Sequence, residues 1–206
     1  MSSIFEGVGT HLASFVREIG KEHIAKALEQ FPSKMPFYTT IDDPDPYQGD
    51  VWKEVNCHVV FRQQMSVKPR QILLLSNTCD MTPSNSARLP PMVTYVPLLT
   101  LEAMANLLRE EKISEPQITN WAQAVRNQEI TNLFHLPSFN PERDECVAWL
   151  SAAQSIELRS IQDLDASRNR ASSLHPAAHW LLLVKLSIHW CRAENADRMN
   201  AGAGNG

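Results

Sequence analysis

The 206-residue chain is poor in the features that narrow a function fastest. It has four cysteines, at 57, 79, 146 and 191, with no Cys-x-x-Cys pair and no regular spacing. That pattern excludes a disulfide framework or a zinc knuckle and makes reduced thiols the expectation. Positive charge is not in excess: 19 Lys and Arg stand against 23 Asp and Glu, for a formal net charge of -4. No global field draws such a chain to a polyanion, so nucleic-acid binding requires a local basic patch or one built across a dimer seam. Long hydrophobic runs are missing too. The longest, "WLLLVKLSIHW", is interrupted by Lys185 and falls short of the roughly 20 residues that cross a hydrocarbon core. The opening "MSSIFEGVGTHLASFVREIG" lacks the basic start, apolar block and small-residue cleavage site of a secretory signal. A soluble, cytoplasmic protein without membrane contact is the expectation.

A hydrophobic fraction of 43% and a charged fraction of 20% describe an ordinary globular chain. One domain over 1–196 is expected, followed by a Gly-rich tail, 197–206, too small in side chains to order itself. Phe5, Val8, Leu12, Phe15, Val16 and Ile19 recur at helical spacing, which predicts an N-terminal helix within 1–32, ended by Pro32. "IDDPDPYQGD" (41–50) reads as a loop. Its prolines break the ligand spacing of a Ca²⁺ loop and no bidentate Glu closes it, so no metal site is expected. After Asp50 come short β-rich runs: "DVWKEV", "CHVVF", "QILLLS", "MVTYVPLL", "TNLFHLP" and "ECVAWL". The apolar "ILLL" predicts a strand buried on both faces or closed into a small barrel. Between the fourth and fifth runs, 101–130 reads as a helical insertion, its second helix capped by Ser114 with Pro116 in the first turn. A strongly apolar helix over 175–194 closes the chain. On it, His179, His189 and Lys185 are expected along a solvated edge, with Trp180, Leu183, Leu186 and Trp190 facing core or a dimer seam.

Chemistry concentrates at "SNTCD" (76–80), at the end of the buried strand. Asn77 and Asp80 fit a turn capped by their own side chains. Asn77 and Thr78, with Arg88, equally suit contact with nucleic acid. Cys79 suits a nucleophile if His58 or His135 lies beside it. A metal site from Cys57, His58 and Cys79 is disfavoured, because adjacent strand residues face opposite ways. Lys68, Arg70, Arg159, Arg168 and Arg170 are the candidates for a basic patch.

Taken in order, "YQGDVW", "KPRQILLLSN", "MVTYVPLLT" and "ECVAWLSAAQSIELRSI" resemble the successive barrel segments of the PemK/MazF toxin family. The resemblance covers roughly 47–100 and 133–164. It implies an α+β fold: a small SH3-like antiparallel barrel from 47–100 and 131–164, carrying the terminal helices and the helical insertion. It implies a cytoplasmic, dimeric, metal-independent endoribonuclease without cofactors, cutting single-stranded RNA through the ribose 2′-hydroxyl and silenced by an antitoxin. Such a protein belongs to toxin–antitoxin or phage-defence systems. The cationic role falls on Arg70 and the hydroxyl role on Thr100, with Asp80 as the carboxylate of the rim and Lys68, Asn77, Thr78 and Arg88 as contacts to nucleic acid. Two departures accompany it: the proline precedes the arginine in "KPRQ", and Thr100 is displaced by one from the hydroxyl position, which Leu99 occupies. On a strand that slip reverses the side chain, so Thr100 serves only if the strand has already ended. The alternative is a non-catalytic module that docks a larger partner through its helices.

Overall fold

The computed structural model describes residues 22–32, 34–61, 64–82, 90–138 and 144–190. Most of the expected N-terminal helix, Arg88 and the tail lie outside them. The described chain is α+β, built on an eight-stranded antiparallel sheet.

Helix α1 (Glu22–Glu29) leads into the short strand β1 (Tyr38–Thr39) and then the acidic loop. The runs "DVWKEV" and "CHVVF" are one strand, β2 (Asp50–Phe61), and its partner β3 (Gln64–Leu74) includes the Lys-Pro-Arg segment. They pair from Val51↔Leu73 out to Phe61↔Gln64. Beyond Val55 the hairpin pairs with no third strand among the described residues, and β4 (Met92–Thr100) joins β3 at Ile72–Leu74. Pro69 is accommodated there, where one edge of the strand needs no donor. The Gln154 carboxamide steadies this arm, donating to the His58 carbonyl (2.6 Å) and accepting from its amide (3.0 Å).

"ILLL" is buried on both faces, as its composition predicts. Leu73 and Leu75 join Val96, Phe134, Leu136 and helix α6 (Pro176–Trp190) in one core. Ile72 and Leu74 join Trp52, Val55, Tyr95 and Leu158 in the other. Strand β4 exchanges partners along its length, pairing with β7 (Gln154–Glu157) at Met92–Tyr95 and with β6 (Cys146–Trp149) at Leu98–Thr100. Between them, α2 (Leu101–Glu110) and α3 (Glu115–Arg126) form the insertion, and Leu101, Val125, Leu133 and Val147 make its small core. Gln117 at the start of α3 accepts from the Ser114 amide (3.3 Å). Strand β5 (Leu133–Leu136) follows α3 and pairs with β6.

With β8 at Arg170–Leu174, the strand order is β1-β8-β2-β3-β4-β6-β5. Among the described residues β1 and β5 share no backbone pairing, so hydrogen bonds do not close the sheet on itself. Two short helices, α4 (Arg159–Gln162) and α5 (Ala166–Asn169), precede β8 (Arg170–Leu174), a strand placed where the sequence reads as linker.

Arg170 is accordingly no surface cation. Its guanidinium meets the buried Asp50 carboxylate at 2.9 Å, out of hydrogen-bond alignment, with side-chain exposures of 7% and 1%. It lies over the Trp52 and Tyr47 rings (5.4 and 5.9 Å) and donates to the carbonyls of Ile41, Asp43 and Asp45. The cation that organises the acidic loop is the chain's own arginine. Asp50 also accepts from Ser173 Oγ (2.6 Å) and the Tyr47 amide (3.0 Å). Burial pushes its carboxyl up, and those bonds and the Arg170 charge pull it back. Gly49, at φ 89°, makes the preceding turn, and a Cβ there would meet the Leu174 side chain at 3.1 Å.

The closing helix corrects a second expectation. Lys185, expected on a solvated edge, is fully buried, its ammonium donating to the Gln128 carbonyl. Burial pulls the Lys185 pKa down to about 7, from an ordinary 10.5, against the opposing charge of Glu129.

Two outcomes follow from these buried charges. Arg170→Met should cost about 3–5 kcal/mol in urea unfolding, because it strands Asp50, and adding Asp50→Asn should recover part of the loss. Lys185 binds its proton more weakly folded than unfolded, so stability should climb from about pH 7 to pH 10 and flatten below pH 7. Lys185→Met should stabilise the protein at neutral pH and abolish that climb.

Candidate functional site

A cleft of about 610 Å³ opens where the inner part of the β2–β3 hairpin faces the end of β4. Its chemistry comes from Lys53, Glu54, Arg70, Thr100 and Asp144, with Tyr38 and Cys146 in its wall. Each is placed by a distinct backbone feature. Arg70 stands on β3 opposite Val55, next to a bulge where two residues of β2, Lys53 and Glu54, intervene between the Trp52↔Ile72 and Val55↔Arg70 pairs. Glu54 has φ 59°, the left-handed region that side chains other than Gly and Asn seldom occupy. A bulge of this kind bends the strand and re-aims its side chains.

Thr100 is the last residue of β4 and also the N-cap of α2, its Oγ1 accepting from the Ala103 amide at 3.0 Å. Thr100 is still paired within the strand, opposite Cys146, with α2 starting at the next residue, and it lines the cleft together with Leu99. Arg70 and Thr100 thus share one cavity.

The other expected site residues that lie among the described residues do not join them. Asp80 lies on an exposed 3-10 turn, Thr78–Met81, and is not among the residues lining the cleft. Asn77 caps that turn, accepting from the Cys79 amide at 3.0 Å, and Thr78 Oγ1 accepts from the Gln48 amide at 3.1 Å. The polar "SNTCD" set therefore fastens the strand end to the loop before β2. Lys68 is exposed on β3 opposite Cys57, further out along the hairpin. Cys79 is exposed on the turn. His135 is buried against Glu145 (2.9 Å), and the backbone of His58 is held by Gln154. Burial pushes the Cys57 thiol up.

The expected basic patch is also dispersed. Arg170 is the buried clamp, Arg168 pairs with Asp165 at 3.4 Å, and Arg159 is exposed on α4; outside that set, Arg126 and Arg109 are held by Glu145 and by Glu102 and Glu115. Arg70 differs. Among the described residues it, Lys53 and Glu54 form no ion pair or side-chain hydrogen bond. Charges in a cleft without partners of their own are available to a ligand.

No family model matches this chain, and no curated protein matches it significantly. The site is therefore read from its geometry.

Two further cavities lie elsewhere. One of about 420 Å³ runs between the acidic loop and β8, and one of about 660 Å³ lies on the α2–α3 insertion. Arg170 and the ion-paired Arg109 and Arg126 already occupy the charge of these two.

The signal for Lys53 and Glu54 was present in "VWKEV". Trp52 and Val55 enter the same core although they are three apart, which the two-residue period of a strand forbids without an extra residue. Because Thr100 starts a helix as well as lining the cleft, Thr100→Ala should lose about 1 kcal/mol in chemical denaturation, and Thr100→Ser should retain most of it.

Proposed function

We propose that this chain is a nucleic-acid-directed protein of the PemK/MazF-like kind, acting as a metal-independent endoribonuclease on single-stranded RNA. The observation that carries the reading is the shared cleft: Arg70 and Thr100, thirty positions apart, are the two residues onto which that family's cationic and hydroxyl roles map, and both line it. The setting would be a toxin–antitoxin or phage-defence system, with an antitoxin as the natural partner.

The barrel reading draws support from the two ends of the sheet. Although β1 and β5 do not pair, the Tyr38 hydroxyl donates to the Pro137 carbonyl at 2.6 Å, and the Phe37 and Phe134 rings lie 5.9 Å apart. The sheet therefore curls far enough for side chains to join its edges, as an SH3-like barrel requires. Exposed Met65 and Val67 on the hairpin arm would suit a second copy of the chain.

In this reading the Arg70 guanidinium meets the non-bridging phosphate oxygens, where charge accumulates as the 2′-oxygen attacks. Thr100 keeps its part despite capping α2. A hydroxyl has one proton and two lone pairs, and the cap engages one lone pair only. Its O–H remains to donate to phosphate.

The deciding experiment incubates purified protein with single-stranded RNA in EDTA. Cleavage leaving 2′,3′-cyclic phosphate ends is expected, reduced about 10²–10³-fold by Arg70→Ala. RNA left intact at stoichiometric protein would reject the nuclease. Retained binding by an inert protein would instead favour the non-catalytic module, with the α2–α3 cleft as its docking face.

A further inference from the structure

The nuclease reading places a cation and a hydroxyl but leaves open what removes the 2′-hydroxyl proton, since Asp80 is outside the cleft. We infer that Glu54 is the general base, and that the substrate must accordingly carry a free ribose 2′-hydroxyl. This rests on the ribonuclease reading above.

Three observations converge on Glu54. It lines the same cavity as Arg70 and Thr100. It adjoins Val55, the residue paired across the hairpin with Arg70, so Glu54 and Arg70 stand at one level on neighbouring strands. It is exposed and among the described residues forms neither an ion pair nor a side-chain hydrogen bond, so all its acceptor positions face solvent or ligand. The bulge that gives it this aim holds a non-glycine residue at φ 59°. Such backbone conformations persist where the surrounding structure imposes them, and they gather at functional sites.

The step balances without a co-reactant other than water. Glu54 accepts the 2′-hydroxyl proton as the 2′-oxygen forms its bond to phosphorus. The P–O5′ bond then breaks, and the departing 5′-oxygen takes a proton from water. Glu54 returns its own proton to solvent, leaving a 2′,3′-cyclic phosphate and a 5′-hydroxyl. Arg70, on the same cleft, favours the charged phosphorane in transit. Asp144 is the other carboxylate lining the cleft. It lies across from the hairpin, two residues before Cys146, the partner of Thr100.

The test compares wild type, Glu54→Gln, Glu54→Gly and Asp144→Asn on one single-stranded RNA, across pH, with binding measured on the same sequence carrying 2′-deoxyribose at every position. Glu54→Gln should lower kcat about 10²–10⁴-fold, remove the acidic limb of the pH–rate profile, and leave affinity for the deoxy strand within about twofold. Glu54→Gly, which suits the left-handed backbone, should be equally inactive while unfolding at or above the wild-type midpoint. That result assigns the loss to the carboxylate rather than to a collapsed bulge. Wild-type kcat with an intact acidic limb in Glu54→Gln would overturn Glu54 and leave the nuclease standing, as would loss of the limb in Asp144→Asn alone. A wild-type protein that does not cut RNA would remove both.

Discussion

The buried contact between Arg170 and Asp50 is the constraint on which the rest of the structure turns. Asp50 opens β2 and Arg170 opens β8, so their pairing sets where the two strands meet. The same guanidinium gathers three carbonyls of the acidic loop and stacks against Trp52 and Tyr47. Taking both charges out of water is costly, and that cost is offset only when nearly every donor finds a partner. Here the loop supplies the acceptors. The bulge at Lys53 and Glu54 follows directly after Trp52, the residue lying beneath the guanidinium. The aim of the cleft's charged residues is thus inherited from a clamp on the far side of the strand.

A second theme is the use of carboxamides in place of missing strands. Gln154 presents an acceptor and a donor to the amide and carbonyl of His58, and Gln128 does the same for His135, at 3.2 and 2.8 Å. In each case one side chain reproduces the pair of hydrogen bonds that a neighbouring peptide would make, on an edge otherwise open to unwanted pairing. Gln128 does so at φ 60°, just beyond the end of α3, and its own carbonyl receives the buried Lys185 ammonium. One residue therefore joins the helical insertion, the end strand β5 and the closing helix. These are the three parts least connected by strand pairing.

What the sequence disclosed, and what it withheld, divide along a physical line. Local pattern announced the strand buried on both faces, the capped helical insertion and the loop at 41–50, because burial periodicity and backbone punctuation are properties of neighbouring residues. Pairing partners are not. Nothing adjacent to Arg170 distinguishes a buried clamp from a surface charge, and nothing near Lys185 marks it as facing inward. The polar richness of "SNTCD" drew attention to Asp80, yet Asn77 and Thr78 there satisfy backbone amides. The resemblance singled out Arg70 and Thr100, which line one cleft. Glu54 was not singled out, because its place in the cleft depends on a bulge signalled only by the break in strand period.

The electrostatics of the cleft bear on how an acidic chain would handle a polyanion. Lys53 and Arg70 face Glu54 and Asp144, so the cavity is close to neutral rather than a basic trough. For a single strand, affinity falls with salt in proportion to the phosphates neutralised, at about 0.7 per contact. With two cations in the cleft, counterion release therefore supplies little attraction. On the proposed reading, binding there would rest on fit at one phosphodiester, with the cations where negative charge would grow and Glu54 where a proton would depart. A groove built for retention would pair no acids with its arginine. A cavity of both signs suits the turnover proposed above, and here the signs are carried by the β2 bulge, by β3 and by the segment before β6.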